Sequence, residues 1–210
     1  MKNVKAKTKI AVLISGGGTN LQALIDAQKS GVIKSGEIVC VISSQPDAYG
    51  LTRAKNAGIP TEVVCKRLLD GSQERFEKGI IEVLERYGIE LIVLAGFMSI
   101  LTANFTSRYP ERIINVHPSL IPSFCGKGFY GLRVHEAALQ YGVKVTGATV
   151  HFVNEIPDGG RIIMQTAVTI NKNETPESLQ KRVMKYAEWK ILPRSAELVS
   201  KQIMDAKGKN

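Results

Sequence analysis

The chain has 210 residues, of which 44% are hydrophobic and 22% charged, a composition that supports a packed core and excludes a disordered chain. Its formal charge is +9, but seven of the 28 Lys and Arg residues lie in the first nine and last ten positions, which hold only one of the 19 acidic residues. The remaining 21 basic and 18 acidic residues leave the body at only +3, which argues against a nucleic-acid partner and is compatible with a phosphorylated ligand.

The apolar runs and the cysteines indicate in which cellular compartment the protein is expected. No apolar run reaches the roughly 18–20 residues of a membrane helix, so no membrane partner is expected. The first apolar stretch, 10–14, is too short for the core of a signal peptide. Cys40, Cys65 and Cys125 are odd in number, far apart and without a CxxC pair. These features predict a cytoplasmic protein with neither disulfides nor a thiolate metal site.

The first half of the chain alternates strand-like and helix-like segments. Short apolar, β-branched runs that end in glycine or polar residues are typical of buried parallel strands. Segments with apolar residues three and four apart are typical of helices that cover such a sheet. The predicted strands are 9–15, 37–43, 61–64, 90–95 and 112–116, and the predicted helices are 20–29, 48–57 and 72–87. This alternation predicts βαβ units with a parallel sheet.

The alternation of strands and helices ends after Pro118. A Gly- and Pro-rich loop at 119–131 is followed by a helix at 133–141, strands at 144–153 and 161–170, and a closing helix at 176–200 with a kink at Pro193. The fold class predicted is α/β: a single doubly wound, mostly parallel sheet with helices on both faces. Residues 1–210 are expected to form one domain, with 1–8 and 204–210 as flexible tails.

A glycine-rich turn follows the first strand. Ser15 is followed by three glycines, Thr19 and Asn20. Glycines let a backbone approach a ligand closely, and the N–H groups of the following helix suit a phosphate. Leu21 stands where a dinucleotide motif has its third glycine, and no GKS or GKT follows, so a P-loop is excluded. The turn is either a cradle for one phosphate or only a helix cap.

The fifth strand ends in Asn115 and His117, which precede Pro118. Residues two apart on a strand point the same way, so the amide and the imidazole project together. Such a pair supplies an oxyanion donor and a proton carrier, as acyl transfer through a tetrahedral intermediate requires. The same two residues are equally compatible with a strand-ending turn and satisfied core groups.

Asp158 precedes two glycines between the last two strands. It is either an ordinary turn aspartate or a carboxylate that raises the pKa of a histidine. His151 shares a strand face with Thr149 and Val153, so it lines the same cleft or belongs to the core. His135 is expected on a helix surface.

Neither a metal nor a protein nucleophile is predicted. His117, His151 and Asp158 match no metal-ligand spacing. No GxSxG motif occurs, and Cys125 has no evident base beside it. If the reaction is acyl transfer, the nucleophile therefore belongs to the substrate.

Together these motifs resemble the folate-dependent phosphoribosylglycinamide formyltransferase family. The stretches that carry the resemblance are 10–24 (IAVLISGGGTNLQAL), 93–101 (VLAGFMSIL), 114–122 (INVHPSLIP), 149–153 with 158–165 (DGGRIIMQ), and 182–193. The resemblance implies a formyltransferase fold with a Rossmann-like N-terminal half. It also implies transfer of a formyl group from 10-formyltetrahydrofolate to the amine of N1-(5-phospho-D-ribosyl)glycinamide in de novo purine (IMP) biosynthesis, with no tightly bound cofactor.

The resemblance also implies residue roles. The catalytic residues are Asn115, His117 and Asp158, with Asp158 tuning His117. The ribonucleotide contacts are Gly18, Thr19 and Asn20 at the phosphate and Glu188 at the glycinamide amine. The folate contacts are Gln73, Met98, Ser99, Ile100, Leu101 and Asn115.

Three features depart from the family pattern. Gln73 stands where the family often has Arg or Lys, and Ser99 replaces the commoner Arg. The 119–131 loop is longer than in well-known members, and its Lys127 is a possible anion contact.

Other readings stay open at this point. The alternatives are hydrolysis of the same formyl-folate and a non-catalytic nucleotide-binding module. Initiator-tRNA formyltransferases and formyltetrahydrofolate hydrolases carry an extra domain that we do not expect here. The sequence does not distinguish a monomer from a dimer.

Overall fold

The computed structural model describes residues 6–207. Its contacts divide the chain into two compact units: unit 1 comprises Met1–Leu101 and Ala196–Asn210, and unit 2 comprises Thr102–Ser195. Within the described residues, no helix is both long and apolar enough to cross a membrane.

The described part of unit 1 contains four parallel strands in the order β3-β2-β1-β4. The strands are β1 (Thr8–Ile14), β2 (Gly36–Ser43), β3 (Thr61–Val63) and β4 (Leu91–Leu94). The helices are α1 (Thr19–Lys29), α2 (Tyr49–Asn56) and α3 (Gln73–Tyr87), with a 3₁₀ turn at Lys66–Leu69. All four residues of β4 and all but Lys9 in β1 are buried, as expected for apolar strands covered on both faces.

Helix α3 shows how local sequence sets these elements. Ser72 caps it by accepting a hydrogen bond from the Arg75 N–H at 3.2 Å, and Gly88 ends it in the left-handed conformation. The helix buries one apolar face, which consists of Phe76, Ile80, Val83 and Leu84. Its boundaries and its buried face both follow from residues within the segment itself.

Unit 2 contains three strands in the order β5-β6-β7, paired antiparallel. They are β5 (Ile113–His117), β6 (Val145–Phe152) and β7 (Ile162–Thr169). The helices are α4 (Ala103–Thr106), α5 (Leu132–Tyr141) and α6 (Pro176–Val183). A π-helical turn, Met184–Glu188, leads into α7 (Trp189–Lys207), whose residues from Ala196 onward are counted with unit 1.

The predicted α/β fold class is confirmed, and three of the five strand pairings described within the units are parallel. The closing helix differs from its prediction. It changes to π geometry at Met184–Glu188, before Pro193, and then continues to Lys207. The short helix α4 was not predicted. That one domain spans 1–210 stays a prediction.

The regular elements also extend into the segments predicted to be flexible tails. Strand β1 begins at Thr8, whose hydroxyl donates to the Ser200 carbonyl at 2.8 Å. At the other end, Lys207 pairs with Glu90 at 2.6 Å. Residues 1–5 and 208–210 of the predicted tails lie outside the described residues.

Candidate active site

Asn115 and His117 lie near the C-terminal end of strand β5. His117 is buried and Asn115 is half-buried. In the antiparallel register with β6, Asn115 lies opposite His151 and His117 opposite Thr149. Opposed side chains on one face of such a pair are neighbours, and the Asn115 Nδ2 lies 3.3 Å from the His151 Nε2. Of the two roles left open for His151, the structure favours a place beside the candidate catalytic pair.

Asp158 brings a carboxylate between the two imidazoles. Its Oδ2 lies 3.4 Å from the His117 Nδ1, and its Oδ1 lies 3.4 Å from the His151 Nε2. The Gly126 N–H donates to the same Oδ2 at 2.9 Å. Asp158 adopts a left-handed backbone with φ 55°, which aspartate tolerates better than most residues. A Cβ on Gly160 would overlap the Phe152 carbonyl oxygen, so the second glycine is required for this turn to pack on β6.

Backbone carbonyls fix the tautomers of both histidines. The His117 Nε2 lies 2.9 Å from the Phe124 carbonyl oxygen, and the His151 Nδ1 lies 2.8 Å from the Phe152 carbonyl oxygen. Carbonyls only accept hydrogen bonds, so each of these ring nitrogens carries a proton. Neutral His151 then has its lone pair on Nε2, where it accepts from the Asn115 amide. A further proton goes to the His117 Nδ1, which faces the Asp158 carboxylate.

The pKa values follow from burial and these neighbours. Burial lowers the pKa of His117 below its ordinary value, although the Asp158 charge and the Phe124 hydrogen bond act in the opposite direction. Burial alone would raise the pKa of Asp158. Its interaction with His151, the charge of His117 and the Gly126 N–H together bring that pKa below its ordinary value. Asp158 is therefore a carboxylate at neutral pH, and it only partly offsets the burial of His117.

His135 is not on a helix surface, and that prediction was wrong. Its side chain is buried on α5 together with Val134 and Ala138, and neither ring nitrogen has a hydrogen-bond partner. Burial, followed by the nearby charge of His117, lowers the pKa of His135 to about 4. It is a neutral imidazole within electrostatic range of the candidate site.

In unit 1, the turn after β1 is supported on one side by residues of α2. Gly18 has φ 69°, and a Cβ there would lie 2.7 Å from the Gly50 Cα. The Gly16 carbonyl accepts from the Gly50 N–H at 3.0 Å, and the Gly17 carbonyl accepts from the Arg53 Nε at 2.9 Å. A Cβ on Gly16 or Gly17 would meet no atom within 4 Å. The turn therefore keeps an open side, and Arg53, which no sequence motif marks, brings a positive charge to it.

The segment after β4 is tied to two other parts of unit 1. The Met98 N–H donates to the Ser15 Oγ at 2.8 Å. The Gln73 Nε2 donates to the Ile100 carbonyl at 3.0 Å and to Glu77, while its Oε1 accepts from the Lys66 Nζ. Both polar atoms of the Gln73 amide are thus engaged in supporting the segment.

The side chains of this segment differ in exposure. Met98 and Ile100 are exposed, Ser99 is half-buried and Leu101 is buried. The segment therefore offers two apolar side chains to a ligand beside a backbone that is already fixed.

The remaining predicted site residues are Thr19, Asn20, Lys127 and Glu188. Glu188 is buried at the end of the π-helical turn, and Lys127 is exposed in the 119–131 loop. Thr19 and Asn20 begin α1, directly after Gly18. Across residues 6–207, no group of three or more His, Cys, Asp or Glu side chains is arranged to hold a metal ion.

Comparisons with known proteins agree on one family. Residues 8–196 match the family described as Formyl transferase. Phosphoribosylglycinamide formyltransferase from Haemophilus influenzae is 45% identical over 185 residues, covering 88% of this chain and 84% of that protein. The crystal structure of glycinamide ribonucleotide transformylase 1 from Symbiobacterium toebii matches with a TM-score of 0.86 at 40% identity, covering 93% of this chain and 89% of that one.

Some relatives are much longer. Trifunctional purine biosynthetic protein adenosine-3 from Gallus gallus is 45% identical over 194 residues, covering 92% of this chain but only 18% of its own length. The chain thus spans less than a fifth of that relative. The matched residues 8–196 include both the turn after β1 and the cluster at the end of β5, and on this evidence the chain belongs to the formyl transferase family.

Proposed function

We propose that this protein is a phosphoribosylglycinamide formyltransferase, which transfers the formyl group of 10-formyltetrahydrofolate to the amine of phosphoribosyl glycinamide in purine biosynthesis. The observation that carries the proposal is the pairing of buried His117 with half-buried Asp158, with Asn115 two residues before His117 on β5. It occurs in a chain 45% identical to an enzyme named for this activity, over 84% of that enzyme's length. The cytoplasmic location expected from the cysteines is part of the same proposal.

The chemistry needs a proton carrier and an oxyanion donor, and no protein nucleophile. The substrate amine attacks the formyl carbon, and negative charge develops on the formyl oxygen. The Asn115 amide and an N–H of protonated His117 stabilise that oxyanion. The attacking amine loses one proton and the departing folate nitrogen gains one, so His117 returns to its initial protonation state. The Asp158 carboxylate favours the imidazolium form that begins the cycle.

Substrate binding is assigned to residues outside this pair. In unit 1, Gly18, Thr19 and Asn20 would bind the phosphate at the start of α1, where helix N–H groups and the Arg53 charge favour an anion. The segment 98–101 would bind the pterin through backbone groups and the exposed Met98 and Ile100 side chains, with Gln73 supporting it. In unit 2, Glu188 would accept a hydrogen bond from the glycinamide amine.

A formyl-transfer assay with the purified protein tests the proposal. Both substrates are supplied, and each is then omitted in turn while formylated ribonucleotide and formate are measured. We expect product only when both are present. Formate release without ribonucleotide would instead indicate a hydrolase, and no turnover of either kind would indicate a binding module.

A pair of variants locates the chemistry. His117→Ala should lower kcat by about 10²–10⁴-fold, the usual contribution of a positioned acid–base group, with ribonucleotide affinity retained. Lys181→Ala, on the exposed face of α6, is the control and should match the wild type. A near-wild-type rate in His117→Ala would show that the acid–base group lies elsewhere.

A further inference from the structure

The loop between Pro118 and Gly131 contacts the catalytic pair at two backbone points. The Phe124 carbonyl accepts from the His117 Nε2 at 2.9 Å, and two residues later the Gly126 N–H donates to the Asp158 Oδ2 at 2.9 Å. The loop is ordered by its own hydrogen bonds, from the Ser119 hydroxyl to the Ser123 carbonyl at 2.6 Å and from the Phe129 N–H to the Gly126 carbonyl at 3.1 Å. One short segment therefore contacts both members of the pair.

Phe124 holds an unfavourable conformation at the centre of this segment. Its φ is 50°, in the left-handed region that bulky residues rarely adopt. Its ring packs edge-on against Phe129, with centroids 6.4 Å apart, and against Tyr141 at the end of α5, with centroids 6.0 Å apart. Edge-on aromatic pairs at these distances are attractive, so the two contacts offset the backbone strain. The aromatic cluster thus fixes where the Phe124 carbonyl points.

This carbonyl sets the tautomer of the neutral His117 ring and the direction of its Nε2–H. Without it, the Asp158 carboxylate would be the strongest acceptor beside the neutral ring and would draw the proton to Nδ1. With it, the proton stays on Nε2 and the Nδ1 lone pair faces Asp158. Once protonated, the ring has one N–H at Nδ1, which points toward Asp158, and one at Nε2. When the formyl-folate binds, the Nε2–H donates to the formyl oxygen in place of the Phe124 carbonyl.

We propose that Phe124 is a positioning residue for the formyl-transfer reaction: its ring, held by Phe129 and Tyr141, orients the 124 carbonyl so that His117 presents an Nε2–H to the formyl oxygen. The inference rests on the proposed function for the identity of the incoming oxygen. It adds a residue, and a reason for the aromatic residues of the loop, that neither the motif nor the acid–base pair supplies.

The other groups around His117 do not provide this selection. Asp158 favours a proton on Nδ1, while His151 lowers the pKa of His117 without orienting the ring. Cys125 lies between the two contact points, and its Sγ donates to the Pro122 carbonyl at 3.2 Å. Burial, and then the Asp158 charge, raise the pKa of Cys125, so this thiol is neutral at physiological pH. The selection therefore depends on the Phe124 carbonyl.

Nitrogen-15 NMR of histidine-labelled protein at about pH 8 tests the proposal directly. The chain has three histidines, so His117→Ala and His135→Leu suffice to assign the signals. We expect the Nε2–H tautomer of His117 in the wild type and a shift toward Nδ1–H in Phe124→Ala. Tyr141→Ala should shift it in the same direction, and because Tyr141 is exposed, this variant keeps the test available if Phe124→Ala does not fold. Phe124→Tyr, which retains the ring, should behave as the wild type.

Kinetics of the same variants connect the tautomer to catalysis. We expect kcat to fall roughly ten- to hundredfold in Phe124→Ala, since misplacement of a catalytic group by about 1 Å costs rates of that order, while the KM for the ribonucleotide stays unchanged. Tyr130→Ala is the matched control, because Tyr130 lies in the same loop but its ring packs on the Arg133 guanidinium.

The two readouts fail separately. An unchanged tautomer or an unchanged kcat in Phe124→Ala and Tyr141→Ala overturns the proposal, and so does a higher kcat/KM for the folate, which would make the carbonyl an obstruction. The NMR measurement needs no substrate, so it stands or falls independently of the formyl-transfer assay.

Discussion

Replacement of His135 tests the energetic cost of its burial. The pKa of His135 falls from 6.5 in the unfolded chain to about 4 in the folded protein. A depressed histidine pKa means that the folded state binds the proton more weakly than the unfolded chain. The contribution of neutral His135 to the free energy of unfolding is therefore fully present above about pH 6.5 and is lost as the pH falls toward 4. A shift from 6.5 to about 4, at about 1.4 kcal/mol for each pH unit, corresponds to a loss of about 3 kcal/mol.

Two variants separate titration from polarity. His135→Leu removes both the titrating group and two unpaired ring nitrogens, so it should gain about 1–3 kcal/mol at pH 7.5 and lack the acid-dependent loss. His135→Asn should lack the acid-dependent loss without the gain at pH 7.5. Urea unfolding followed by the fluorescence of Trp189, the only tryptophan, measures both. If the free energies of wild type and His135→Leu fall in parallel between pH 7.5 and 4, then His135 titrates normally and the reasoning is refuted.

Three further predictions concern the proposed site. Asp158→Asn removes the negative charge that raises the pKa of His117, so that pKa should fall further. As a result, kcat should drop at neutral pH and partly recover toward acid pH. An NMR titration of His117 that matches the wild type would contradict the coupling. Gly17→Val should fold normally and raise the KM for the ribonucleotide at least tenfold, whereas Gly18→Val should lower the melting temperature because of its φ and its contact with Gly50; an unchanged KM in Gly17→Val places the phosphate elsewhere. Gln73→Leu releases the Ile100 carbonyl and should raise the KM for the folate but not for the ribonucleotide, and the reverse pattern would exchange the two assignments.

The elements of the fold could be predicted because their signals are local. The buried run of β1 and the apolar face of α3 are visible in any window of the sequence. The π-helical turn at Met184–Glu188 has no such signal, since its residues continue the helical pattern and only the hydrogen-bond register changes. The burial of His135 depends on which face of α5 packs inward, and the spacing of the helix alone did not decide this.

The site was predictable in part for the same reason. The shared direction of Asn115 and His117 follows from strand geometry, which is local. The approach of His151 and Asp158 depends on the register of β5 with β6 and on a left-handed residue. The contacts from Phe124 and Gly126 use a backbone carbonyl and a backbone N–H, which nearly every residue type carries, so no sequence motif marks them. The net fall in the pKa of His117 comes from burial, which exceeds the effect of the aspartate.

The hydroxyl of Ser15 has a thermodynamic consequence for unit 1. It lies 2.7 Å from the Ser44 hydroxyl and accepts from the Met98 N–H, while the Ser15 N–H donates to the Gly96 carbonyl at 3.1 Å. The turn proposed for the phosphate and the segment proposed for the pterin thus share one side chain. A ligand that displaces this hydroxyl therefore changes the binding site of the other ligand. Thermodynamic linkage requires that each ligand change the affinity of the other by the same factor. Ser15→Ala should uncouple the two affinities while leaving both sites in place.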